Sequence, residues 1–255
     1  MKAWARATIV ALLCAGGCDG GASTQPDAGQ QAGPYAGDWL GLTSQSEPIA
    51  FRVAGNAVTY LRFEYQMSGS GCSLTGKQMR AVSAPITNGA FTVSSNDSGS
   101  SSVLAGAFTS DSAATGTFSG SNSTGCSATG DATWQADKLP PAPSYDGTWT
   151  GQTSQATSFS LGVSNNQVTS LDLELTLDNS CATTTSFTGA PAGSAPIVAG
   201  QADFSHGRSP LMLSGVVTFS DAGPATGSLD ILYYDTTAQP ACTASAKATF
   251  SLQRQ

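Results

Sequence analysis

Two carboxylates and one imidazole are the side chains of this sequence best suited to chemistry. Asp172 and Glu174 alternate with Leu171, Leu173 and Leu175. Alternate residues of an extended strand share a face, which places the two carboxyl groups roughly 6–7 Å apart. That separation overlaps the one used in glycoside hydrolysis, where one carboxyl donates a proton and its partner activates water or attacks the sugar. The leucines claim the core face, however, so the pair is expected among solvated charges. His206 is the single histidine and lies in Ser205-His206-Gly207-Arg208, a turn-like segment expected at the surface. A Ser/His/Asp triad assembles in space and not in sequence, but neither a G-x-S-x-G elbow nor an S-x-x-K pair accompanies the histidine. Asn96-Asp97-Ser98-Gly99 and Asp178-Asn179 offer oxygen ligands without the ordered spacing of a calcium loop, and they read as Asx turns. In Tyr233-Tyr234 adjacent strand residues point to opposite faces, so one ring is expected outside. No convergent catalytic set emerges. The chain reads as non-enzymatic, with no cofactor and no metal.

The elements that would carry these residues come as two copies. Tyr35-Ala-Gly37-Asp-Trp39-Leu-Gly41-Leu-Thr43-Ser44-Gln45 and Tyr145-Asp-Gly147-Thr-Trp149-Thr-Gly151-Gln-Thr153-Ser154-Gln155 are identical at seven of eleven positions and lie 110 residues apart. Behind them Ile49-x-Phe51-x-Val53 matches Phe159-x-Leu161-x-Val163, each alternating with the period of a half-buried strand. Gly55-Asn56 and Asn165-Asn166 then supply residues that tolerate positive φ in a tight turn. Leu61-x-Phe63-x-Tyr65-x-Met67 matches Leu171-x-Leu173-x-Leu175-x-Leu177. Arg62 and Glu64 stand where the second copy has Asp172 and Glu174, so the acidic pair does not recur. Further on, Leu104-x-Gly106 is aligned with Leu213-x-Gly215, and Ala114 to Phe118 with Ala225 to Leu229. Cys126 to Trp134 is aligned with Cys242 to Phe250, as the last strand. About eight short strands per copy, with no sustained helical period, indicate an all-β chain of two tandem antiparallel β domains. Each is expected to be an up-and-down β-barrel or a β-sandwich. The expected organisation is an export signal at 1–17, a flexible tether at 18–34, repeat one at 35–138, a Pro-rich linker at 139–144 and repeat two at 145–255.

The remaining cysteines follow the same division. Cys72 and Cys181 come after the third strand of their copies, and Cys126 and Cys242 open the last. Four cysteines allow three pairings, and the repeat favours Cys72–Cys126 with Cys181–Cys242. Thiolate metal sites need closely spaced Cys and His ligands, which are missing. The chain carries 10 Lys+Arg against 17 Asp+Glu, a formal net charge of −7. With no basic cluster it is a poor partner for phosphate backbones, and nucleic-acid binding is not expected.

Lys2 and Arg6, the apolar run Ala7 to Leu13 and the small residues Ala15-Gly16-Gly17 before Cys18 form an export signal. The small residues placed before a cysteine resemble the lipobox of bacterial lipoproteins, although Ala15 stands where Leu is commonest. That resemblance implies lipid attachment at Cys18, a membrane partner and a place in the bacterial cell envelope, facing the periplasm or the exterior. Cleavage without lipidation would leave a secreted chain. Asp19 to Pro34 would then act as a tether reaching roughly 20–25 Å, and a monomer is expected. As a whole the chain resembles uncharacterised exported repeat lipoproteins of bacteria. Each copy also resembles the calycins, the lipocalin and avidin group of eight-stranded barrels. Gly37-x-Trp39 and Gly147-x-Trp149 match their first-strand motif, and Lys138 and Arg254 match the late cation. The resemblance implies that the cation packs over the indole at the closed end, and that a small apolar or sugar ligand could occupy the interior. The copies are shorter than a lipocalin and lack its other motifs.

Overall fold

The structure, a computed structural model, describes residues 33–97, 99–177, 184–191, 195–208, 211–235 and 242–255. Cys18 and the export segment lie outside the described residues, as do Cys181 and Asp178-Asn179. Every described element is a strand, and the strands form two antiparallel sheets that curl into barrel or half-barrel shapes.

The first sheet contains β1 (Gly37–Thr43), β2 (Pro48–Ala54), β3 (Ala57–Gly69), β4 (Cys72–Pro85), β5 (Ala90–Asp97), β6 (Ser100–Phe108), β7 (Ala113–Asn122) and β8 (Ala128–Lys138). Its order is β4-β3-β2-β1-β8-β7-β6-β5, so neighbours are joined by hairpins except where β1 pairs with β8. The second sheet contains β9 (Gly147–Thr153), β10 (Ser158–Ser164), β11 (Gln167–Thr176), β12 (Thr184–Gly189), β13 (Ala195–Pro196), β14 (Gln201–Arg208), β15 (Leu211–Thr218), β16 (Ala225–Asp235) and β17 (Cys242–Arg254). It runs β12-β11-β10-β9-β17-β16-β15-β14, with the short β13 on β11. The expected all-β, up-and-down architecture is thus the observed one.

Turn chemistry fixes the hairpins. Gly55 lies at φ 57°, and Asn165 and Asn166 lie at 53° and 51°, the left-handed region in which Gly and Asn are tolerated. The cysteine expected to open the last strand of the first copy, Cys126, instead lies just before β8. Its disulfide to Cys72 joins that turn to the start of β4. Asn96 pairs with Ser101 within the β5–β6 ladder, which leaves the turn to the residues around Gly99.

Each barrel interior is filled by rings and aliphatic side chains. In the first, Trp39, Phe51, Phe63, Phe91, Phe118 and Trp134 are all buried. Phe51 lies 5.6 Å from both Trp39 and Phe91 and 5.9 Å from Trp134, ring centre to ring centre. The second interior holds Trp149, Phe159, Phe204, Phe219 and Phe250 among leucines.

Register shows how one frame accommodates two cores. Gly116 lies opposite Trp134 on β7–β8, and Gly227 opposite Phe250 on β16–β17, as the sequence alignment expects. Gly106 is then opposite Gly116, whereas the residue opposite Gly227 is Val217. The match of Leu104-x-Gly106 to Leu213-x-Gly215 is therefore wrong by two residues. Gly106 corresponds to Val217, and Phe91 to Ala202. The physical reason is a trade in volume. A Cβ on Gly106 would sit 2.6 Å from Phe91 and 2.7 Å from Trp134, so two large rings require glycine there. The second barrel carries a smaller ring at Phe250 and only a methyl at Ala202, and Val217 takes up the space. Gly215 is explained by its own neighbour, Phe204, which a Cβ would approach to 2.5 Å.

Candidate functional site

Seven residues recur at the start of the two copies, and the contacts below match between them. The Trp39 indole donates to the Tyr35 carbonyl at 3.0 Å, and Trp149 to the Tyr145 carbonyl at 2.9 Å. Phe108 meets Trp39 edge-on at 5.0 Å, and Phe219 meets Trp149 at 5.1 Å. Gly37 and Gly147 share a φ of 135°, and each is overlain by the late cation. A Cβ on Gly41 or Gly151 would run into the carbonyl of Gln135 or Ser251, so these glycines let the first and last strands meet. Thr43 and Thr153 accept from the main-chain amides of Gln45 and Gln155. Ser44 and Ser154 accept from the amides of Thr133 and Thr249. The Gln45 amide both donates to the Gln66 carbonyl and accepts from its N–H, and Gln155 does the same to Thr176.

The late cations close this latch. Lys138 Nζ donates to the Pro34 carbonyl at 3.2 Å. Arg254 donates to the carbonyls of Ser144 and Asp146. The calycin resemblance places the cation over the indole; here its hydrogen bonds go to the chain entering the first strand. The recurring motif is a fastening between the first and last strands of each barrel.

The chemical candidates stay apart. Asp172 and Glu174 are exposed on β11, as expected, and Asp172 accepts from the Thr188 hydroxyl at 2.9 Å. His206 is not in a surface turn. It belongs to β14 and pairs with Leu213, because Ser205-His206-Gly207 continues the ladder that Phe204 anchors. Its ring lies 4.3 Å from that of Phe187, and Nδ1 is 3.2 Å from the Ala190 carbonyl. Tyr233 is half-buried against the second core, while the side chain of Tyr234 falls outside the described residues. Among the described residues no group of three or more acidic, His or Cys side chains is placed to hold a metal ion.

Among the described residues the most deeply buried charged cluster is one that the sequence does not reveal, and it lies between the barrels. Asp203 on β14 has a fully buried carboxylate. Lys77 Nζ on β4 reaches one of its oxygens at 2.7 Å, and Arg62 on β3 approaches the other at 3.5 Å. Lys77 also lies 3.7 Å from Glu64. Beside them Arg52 grips Asp38 through two bonds of 2.7 and 3.0 Å and donates to the Ile197 carbonyl. Ala50, Tyr60 and Val198 form a small apolar cluster across the same boundary. Arg62, expected on a solvated face, is 4% exposed. The reason is that the outer face of β2–β4 is covered by a second layer. The burial of Tyr60, Leu61, Arg62 and Phe63 in succession records core on both sides of β3.

One concavity, of about 650 Å³, is a groove over β1, β8 and β7 whose lining includes one titratable group, Asp137. A smaller cleft of about 280 Å³ at the end of the second barrel is richer chemically, with Tyr145, Asp221, Gln253 and Arg254. There the Tyr145 hydroxyl donates to Asp221 at 3.2 Å. Burial first, then that bond and the carboxylate charge, raise the phenol's pKa.

Neither a family model nor a curated protein matches the chain. Among solved structures it is similar to a DUF3598 family protein of unknown function from Nostoc punctiforme, over 87% of this chain and 97% of that one. The identity is 11% and the TM-score 0.29.

Proposed function

We propose that the protein is an exported, non-enzymatic bacterial lipoprotein, anchored through Cys18, whose paired barrels act as a binding or structural module at the cell envelope. One observation supports this reading above others: the residues that recur in the two copies are spent on fastening each barrel. Asp172 and Glu174 are exposed on β11, whereas His206 lies on β14 against Phe187. Interior binding of a small apolar or sugar ligand is disfavoured, because a ligand there would have to displace the contacting rings of Trp39, Phe51 and Trp134. Contacts with a partner or glycan would fall on the outer faces and barrel ends. The reading includes a monomeric chain that does not bind nucleic acid.

The anchor is tested by expressing the full chain with a labelled fatty acid and fractionating the cells. The wild type is expected to take up label and sediment with membranes, while Cys18→Ser is unlabelled and leaves that fraction. Unlabelled, soluble wild-type protein cleaved before Cys18 would refute the anchor.

A further inference from the structure

We infer that the contact between the barrels is a one-sided lock, which makes the pair a single rigid body and ends the series at two. Register gives the corresponding residue for each member of the junction. Ala50 pairs with Arg62 on β2–β3, and Ser160 with Asp172 on β10–β11. Arg52 pairs with Tyr60, and Gly162 with Ser170. Glu64 pairs with Lys77, and Glu174 with Ser186. The face that carries Arg52, Tyr60, Arg62 and Lys77 in the first barrel thus carries Gly162, Ser170, Asp172 and Ser186 in the second. An aspartate brought to this second face would meet Asp172 and Ser186 in place of the cations Arg62 and Lys77, with Glu174 where the first face has Glu64.

The opposing surface differs in the complementary sense. Val198 and Asp203 of the second copy correspond to Thr87 and Thr92 of the first, where Thr87 and Thr92 are exposed. Val198 is wholly buried against Ala50 and Tyr60. A carboxylate inside this boundary is tolerable because Lys77 and Arg62 meet it, and removing it leaves both cations facing a low-dielectric contact. A head-to-tail contact between like units would propagate into a filament if every unit carried both surfaces. Among the described residues each surface is found once, and the two meet each other. The differences between the copies that could be read as sites for a ligand therefore serve, along this boundary, to seat one barrel on the other.

The test uses the full chain and two variants, one on each side of the boundary: Asp203→Ala and Arg62→Met. The wild type is expected to unfold in one transition, to scatter X-rays as one compact particle and to sediment as a monomer at every concentration. Each variant is expected to keep its strand signal, show two unfolding transitions and have a larger radius of gyration. Where Asp203→Ala does not fold, Arg62→Met gives the same readout from the other barrel. A variant that retains a single transition and the wild-type radius overturns the lock. Self-association of the wild type with rising concentration overturns the ending at two.

Discussion

Tyr60 sits where the first core, the second barrel and a buried charge meet. It is 3% exposed, and its hydroxyl makes no hydrogen bond of ordinary geometry among the described residues, although Asp203 lies near enough to bear on its titration. Burial, followed by the charge of Asp203, drives its pKa well above the usual phenol value. The sign of the consequence follows from linkage. Below about pH 10 the phenol is neutral in both the folded and the unfolded chain, and stability is independent of its titration. Above that, the unfolded chain releases the proton first, so stability falls as pH rises towards the folded pKa. Denaturation midpoints are expected to be level from pH 8 to about pH 10 and to decline beyond it. Tyr60→Phe should reduce that decline, with Tyr145 accounting for part of the remainder. At neutral pH the same substitution removes a buried hydroxyl that lacks a hydrogen bond of ordinary geometry, and it should leave stability unchanged or raise it by up to about 1 kcal/mol. Urea titrations of both proteins at pH 7, 9, 10 and 11 check each statement; a parallel alkaline decline in the variant would exclude Tyr60 as its source.

Strands, unlike single residues, can exchange bulk with their neighbours while the ladder stays fixed. Phe91, Gly106 and Trp134 fill the space that Ala202, Val217 and Phe250 fill in the second barrel. Gly106→Val alone should cost about 1–3 kcal/mol, since its side chain meets two rings that cannot retreat. Phe91→Ala alone should cost about 3–5 kcal/mol through the cavity it opens. The triple variant Phe91→Ala, Gly106→Val, Trp134→Phe should cost much less than the sum, because neighbours in one packing unit are not additive. It also removes the Trp134 Nε1–H, which has no partner among the described residues. Equal or greater loss in the triple variant, measured by urea denaturation, would show that the two cores are not interchangeable solutions. Alternation made the core faces of β2, β3, β10 and β11 legible from sequence, because a strand face repeats every second residue. It could not reveal that the outer face of β3 is covered, since Arg62 reads as solvated until its partner Asp203 is brought in from another sheet. The same limit explains the slip at Gly106. Glycines in two similar strands look alike, yet one answers to Trp134 and the other to Phe204. His206 departs from its expected surface turn for a third reason: Ser and Gly on either side signal a turn locally, and the ladder with β15 overrides them.

At the scale of the molecule, the Cys72–Cys126 bond ties the start of β4 to the approach to β8 across 54 residues. Closing a loop of that length is worth about 4 kcal/mol in the chain-entropy account. Replacing both cysteines by Ala should lower stability by about that amount in equilibrium denaturation, and no loss would place the bond's value elsewhere. Cys72 and Cys126 should resist alkylation without reductant; quantitative modification of both would contradict the bond. The pairing of β1 with β8 has another consequence, one of order in time. Most ladders here join strands adjacent in the chain, whereas this one joins Trp39 to Lys138. Local hairpins form early, and contacts between distant segments wait for the chain between them to be ordered. A polypeptide that emerges amino end first therefore cannot close its first barrel until Lys138 has appeared. The Trp39 ring, fully buried in the finished barrel, stays without its β8 neighbours until the eighth strand arrives.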